Sequence, residues 1–187
     1  MRVLIIDNND SFTYNLKHYV EQFASFVIVY RVTEVELDCI EQFDKIILSP
    51  GPGLPNEHPF LKQVLARYYN QKPILGICLG QQAIAEFFNA NLENLTSVKH
   101  GVTSIVSHFN NCKLFVDIPK NFKIGHYHSW VVSKNNFPDE LKITSKNEDG
   151  FITSIKHNDL DISAVQFHPE SILTEHGLQL IKNWVLY

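Results

Sequence analysis

Cys78 stands between Gly76 and Gly80 in the stretch PILGICLGQQAIAEFF, where an apolar run stops and an amphipathic run begins. A buried structural cysteine needs neither glycine. A nucleophile held on a sharp strand-to-helix turn needs both, because small neighbours let strand and helix pack close to a strained residue. A thiol at a helix N-terminus also feels the positive end of the helix dipole, which favours thiolate. The plainer reading stays open at this point, since cysteine is among the most buried residue types. Cys39 and Cys112 have no such setting and read as structural.

A second place is AVQFHPES, where an apolar strand ends at Phe167 and His168, Pro169 and Glu170 follow. The carboxyl edge of a parallel sheet is where active sites gather. A histidine there can act as base to a thiol and then protonate a leaving amine. A carboxylate two residues on can hold the imidazole in the useful tautomer. With nine histidines in the chain, such a pair is weak evidence alone. The third place is LSPGPGLPNE. Proline has no N–H, so this stiff loop offers donors only from Gly51, Gly53 and Leu54 onward, an arrangement suited to an oxyanion. A rigid surface turn would look the same. The three signals become informative by occurring together at strand ends.

The elements that must position them alternate in the first half. Val3 to Asp7, FVIVYR, KIILS and PILGIC read as strands. Ser11 to Phe23, Asp38 to Phe43, His58 to Asn70 and Leu79 to Phe88 carry helical spacing. PGPGLPNEHP, with its prolines and glycines, is expected to hold no regular structure. Alternating strands and helices imply a parallel sheet covered on both faces. From about Val98 the pattern changes to short strands: VKHGVTSIVSH, KLFVDI, IGHYHSWVV, LKITSK, FITSIKH and DISAVQF. NEDG and HNDL read as tight hairpin turns between them, and a helix is expected from about Glu175. The expected fold is therefore α/β, a mostly parallel central sheet flanked by helices with an additional small antiparallel sheet. No linker or repeat interrupts it, so residues 1–187 are expected to form one domain.

Composition bounds the rest. With 44% hydrophobic and 19% charged residues the chain is globular. A net charge of −4 without a basic run argues against nucleic-acid and membrane-surface binding. The apolar run in MRVLIIDNND is too short for a signal peptide or a spanning helix, and three cysteines give no disulfide framework. The expectation is a cytoplasmic protein.

Taken together, DNNDSFTYNL, LSPGPG, ILGICLGQQ, VKHG, HYHSWVV and AVQFHPESILTEHG resemble the signatures of the class I (triad) glutamine amidotransferases, over nearly the whole chain. Within that family the resemblance is to the glutaminase components of the chorismate-aminating synthases, which make anthranilate or aminodeoxychorismate. It implies Cys78 as nucleophile, His168 as base and Glu170 as its orienting partner. It implies an oxyanion hole from Gly53 and the Leu79 N–H. Glutamine would be bound by Gly51, Pro52 and Gly53, by Gln82, and by the backbone around Ser129 and Trp130. No cofactor and no metal are implied. The partners implied are L-glutamine and a separate chorismate-binding synthase subunit that consumes the ammonia. The antiparallel half and the DNND loop are expected docking surfaces. Three positions depart from the family pattern: Gln81 where histidine is common, Trp130 for a usual leucine, and Asn9 where an aromatic is frequent. None touches the triad. Two other readings bear on the same residues. A redox or chaperone protein with a cysteine elbow would need the thiol but neither His-Pro-Glu nor a glutamine pocket. A silent regulatory subunit would lack a triad member.

Overall fold

The computed structural model describes residues 1–187. Strand β1 (Arg2–Asp7) is followed by helix α1 (Thr13–Val20), β2 (Phe26–Arg31), β3 (Lys45–Leu48), α2 (Pro59–Tyr68), β4 (Ile74–Ile77) and α3 (Leu79–Phe87). The second half runs β5 (Leu92–His108), β6 (Asn121–Val132), β7 (Leu141–Asn147), β8 (Ile152–His157), β9 (Ile162–Val165) and α4 (Gly177–Leu186). The nine strands form one sheet in the order β2-β1-β3-β4-β9-β8-β7-β5-β6. Strands β2, β1, β3, β4 and β9 are mutually parallel.

The apolar strands read as unbroken runs because both faces are covered. Along β1, Leu4 and Ile6 enter one core while Val3 and Ile5 enter the other. Helices α2 and α3 close the first core with Leu61, Val64, Leu65, Tyr68, Ala83 and Ile84. Helices α1 and α4 close the second with Leu16, Val20, Leu180, Ile181 and Trp184. The helices therefore divide two to a face, and the turns leaving β1, β3, β4 and β9 meet at one edge.

Several boundaries differ from the sequence expectation, each for a local reason. The antiparallel strands do not make a separate sheet. Strand β9 pairs parallel with β4 and antiparallel with β8, so it hands the sheet from one grammar to the other. KLFVDI is not a strand. Lys113–Phe115 forms a 3₁₀ turn, and Asn183 Nδ2 on α4 donates to the carbonyls of Leu114 (2.9 Å) and Val116 (2.7 Å) in place of a ladder. PGPGLPNEHP contains one 3₁₀ turn, Pro55–Glu57, with proline at its first position where no N–H is needed. Asp38–Phe43 is likewise a 3₁₀ segment, Leu37–Gln42. Helix α1 begins at Thr13 instead of Ser11, because Asp10 Oδ2 captures the Phe12 N–H at 2.7 Å. Strand β5 begins six residues before Val98, through an exposed segment without alternation.

Candidate active site

The backbone of Cys78 carries φ 52° and ψ −102°, a conformation rare for a residue with a side chain. Its N–H donates to Val165 O (2.8 Å) on β9, and its C=O accepts from Gln82 N (3.1 Å) in the first turn of α3. The two glycines are dictated by this bend. A Cβ on Gly76 would lie 2.5 Å from the carbonyl oxygen of Gly80, and one on Gly80 would overlap the Leu48 carbonyl. Strand β4, helix α3 and strand β3 thus touch backbone to backbone around the thiol, which is 5% exposed.

The turn after β9 carries His168 and Glu170, both buried. Glu170 Oε1 lies 2.7 Å from His168 Nδ1. Pro169 holds the backbone between them, and Gly177 at the start of α4 packs directly on the Pro169 carbonyl. Thr174 Oγ1 donates to the His168 carbonyl at 2.6 Å. Nε2 of His168 is buried without a well-formed hydrogen bond of its own. Burial alone would push the imidazole towards neutrality, but interactions with Cys78 and with Glu170 outweigh it and raise its pKa well above the ordinary histidine value. Thiol, imidazole and carboxylate are therefore brought together in the order that nucleophilic catalysis uses.

Beside Cys78 lies a cleft of about 120 Å³ lined by Gly51, Pro52, Gly53, Cys78, Leu79, Gln82, Tyr127, His128, Ser129 and Trp130. Every residue expected at the substrate or oxyanion site faces it. Gly53 takes φ +75°. Leu79 is the first residue of α3, whose N–H has no acceptor within its own helix. The PGPG loop is pinned at its flanks. His58 Nε2 lies 2.8 Å from Pro52 O, Glu57 Oε1 accepts from Leu54 N at 3.0 Å, and Asn8 Nδ2 donates to Ser49 O at 3.0 Å. Gln82 is committed to bracing the cleft: its Nε2 donates to Trp130 O (3.0 Å) and to Gln166 Oε1 (3.3 Å). The departure at Trp130 thus leaves its backbone in use. Gln81 is fully buried and neither of its amide atoms has a partner. Asn9 is exposed with φ 63°. A larger cavity of about 780 Å³ lies between α2 and α3, with Lys62, Glu86 and Asn89 on its walls, and holds no nucleophile.

Sequence reasoning missed four neighbours. Gln166 Nε2 contacts Cys78 Sγ at 3.5 Å. The rings of Tyr127 and Phe12 stand edge-on to His168, with centroids 4.9 Å and 6.2 Å away. Asp10 places a carboxylate oxygen within 4.8 Å of both His168 and Glu170. All four lie inside stretches already singled out, AVQFHPES, HYHSWVV and DNNDSF, but no spacing rule says which members turn inward. Further along β6, His126 Nδ1 and His128 Nε2 share a hydrogen bond of 2.9 Å, and Ser104 Oγ lies 2.6 Å from His126 Nε2.

The chain is similar over nearly its whole length to known proteins. A family model described as glutamine amidotransferase class-I matches residues 4–187. Aminodeoxychorismate synthase component 2 of Klebsiella aerogenes is 40% identical over 185 residues, covering 98% of each chain. Anthranilate synthase component 2 of Pyropia yezoensis is 39% identical over 188 residues, covering 99% of each. A glutamine amidotransferase structure from Thermotoga maritima, at 18% identity, superposes with TM-score 0.73 over 99% of this chain and 80% of its own. No helix is long and apolar enough to cross a membrane.

Proposed function

The chain belongs to the class I glutamine amidotransferases, and on that premise we propose that residues 1–187 act as one glutaminase domain supplying ammonia to a chorismate-aminating synthase subunit. The observation that carries this reading is the strained Cys78 elbow, opposite a buried His168–Glu170 pair and opening on a cleft of fitting residues.

In this reading glutamine lies in the cleft with its side-chain amide against Cys78. The thiolate attacks the amide carbon, and the developing oxyanion takes N–H groups from Gly53 and Leu79. His168, as imidazolium, gives its proton to the amide nitrogen as the C–N bond breaks, and ammonia leaves. A γ-glutamyl thioester remains on Cys78. Water then attacks the thioester carbon while neutral His168 takes the water's proton, releasing glutamate and restoring the thiolate–imidazolium pair. Glu170 keeps Nδ1 protonated and the ring oriented throughout. Gln82 holds the Trp130 side of the cleft, and Gly51 to Gly53 the other.

The full-length relatives include components of both chorismate pathways at nearly equal identity, 39% and 40%. A protein named aminodeoxychorismate/anthranilate synthase component 2, from Bacillus subtilis, is 35% identical. We favour anthranilate synthase as the assembly served, with aminodeoxychorismate synthase as the second reading. The test is reconstitution with each synthase subunit, followed by identification of the product formed from chorismate and glutamine. Cys78→Ser is expected to abolish the glutamine-dependent product and leave amination by ammonium salts intact. Retained glutamine turnover in that variant would make Cys78 structural. Glutaminase activity unchanged by either synthase would remove the partnership.

A further inference from the structure

The loop between β1 and α1 contributes more than a flank of the PGPG loop. One oxygen of Asp10, one ring nitrogen of His168 and one oxygen of Glu170 lie within 4.8 Å of one another. Asp10 is fixed there. Its Oδ2 accepts the Phe12 N–H (2.7 Å), and its own N–H donates to Asp7 Oδ1 (3.1 Å), which also accepts from Thr13 Oγ1 (2.8 Å). Phe12, held by that contact, stands edge-on to the His168 ring. Glu170 spends Oε1 on His168, while its Oε2 is buried and unpartnered. Two carboxylates so close, Glu170 buried and Asp10 half-buried, repel unless a positive charge lies between them. Nδ1 of His168 is already engaged by Glu170, so the cation this cluster is arranged around is the imidazolium itself.

We propose that Asp10 is a positioning residue for the reaction, a second carboxylate that together with Glu170 holds His168 in its imidazolium form. The inference rests on the reading of His168 as the proton carrier. It assigns to the DNND loop an electrostatic task inside the site, beyond its expected place as a docking surface.

The charges around the ring act in one direction. Cys78 faces it from the β4–α3 turn, Glu170 from its own turn, and Asp10 with Asp7 behind it from the β1–α1 loop. From β6 come Tyr127, His126 and His128, and both of these histidines are held neutral by burial. Every ionised neighbour is therefore an anion and favours the charged ring. Burial raises the Asp10 pKa above the ordinary carboxylate value; the Phe12 N–H bond and then the nearby His168 ring pull it down, while Glu170 and Asp7 push it up. Removing the Asp10 charge must lower the His168 pKa, so the form that protonates the leaving nitrogen is lost at lower pH.

The test is an NMR titration of the His168 imidazole in the full chain, with its signal assigned by its loss in His168→Gln. Asp10→Asn keeps an oxygen for the Phe12 N–H but removes the charge. Its His168 midpoint is expected to fall by about one pH unit, the size of a carboxylate's influence at this range in a half-buried site. Asp10→Glu, which restores a carboxylate, should recover part of the shift. Should Asp10→Asn not fold, Asp10→Ser offers the same acceptor and carries the same expectation. A midpoint identical to the unmodified chain, with or without a lower melting temperature, would overturn the proposal. Glutaminase assays with each synthase run alongside. An inactive unmodified chain would count against the proposed function, while the titration would still report whether Asp10 acts on His168.

Discussion

Two pairs of buried groups in this molecule each include a histidine, and they sit at opposite electrostatic extremes. His168 is paired with Glu170 and faces Cys78, and its pKa is raised. His126 and His128 are paired with each other and with Ser104, and burial pushes them down to about 4 and about 3. Desolvation acts the same way on all three rings. What differs is the partners: the Cys78 sulfur together with the Glu170 carboxylate can repay the cost of a buried cation, whereas a second imidazole or a hydroxyl cannot. The first pair is equipped to carry a proton near neutral pH, while the second is a neutral brace behind the cleft wall at His128.

The largest effect that sharpens this contrast comes from His168→Ala. If His168 is the proton carrier proposed above, its loss should reduce glutamine-dependent turnover by about 10²–10⁴. Amination by ammonium salts should persist, read as product formation by the reconstituted synthase. Glu170→Ala is expected to cost less, because the imidazole remains, and to lower the His168 midpoint towards those of His126 and His128. A greater loss from Glu170→Ala than from His168→Ala would reverse the roles assigned to them.

Stability against pH separates the pairs in the opposite sense. For His126 and His128 the folded pKa lies below the unfolded value near 6.5, so the unfolded chain takes up protons first as pH falls. Their contribution is present above pH 6.5 and is lost as pH falls through 4 and 3, at up to about 1.4 kcal/mol per pH unit for each site. For His168 the folded pKa is raised, so its contribution is full below the unfolded value and fades as pH rises through the folded one. Urea midpoints measured across this range should fall steeply on the acid side. The double variant His126→Gln, His128→Gln should flatten that limb, and an unchanged slope would break the comparison. The smallest effects belong to Cys39→Ser and Cys112→Ser, which should leave glutamine turnover near that of the unmodified chain. Cys39 is exposed, and Cys112, packed in the α1–α4 core, offers its thiol only a 3.9 Å side-chain contact with Ser163 Oγ.

The amino-acid sequence by itself determined the elbow, because Gly76-Ile77-Cys78-Leu79-Gly80 is a local pattern and the backbone contacts that require its glycines are close in space to Cys78. It determined the parallel half as well, since a strand buried on both faces must be apolar through its buried run, as Val3–Ile6 of β1 and Ile46–Leu48 of β3 are. It also marked His168 and Glu170, two residues apart on one turn. Only the tertiary structure decided that the antiparallel strands extend the same sheet, because the pairing of β9 with β8 leaves no local trace distinguishing it from a separate layer. Likewise KLFVDI has the composition of a strand and becomes a turn because Asn183, far along the chain, satisfies its carbonyls. The fate of each histidine was not legible either. His126, His128 and His168 all lie beside apolar residues in the sequence, and the charge each can hold is set by the groups that folding brings against it. For His168 those groups come from the β1–α1 loop, the β4–α3 turn and its own turn, and long-range electrostatics of that kind exists only once the chain has folded.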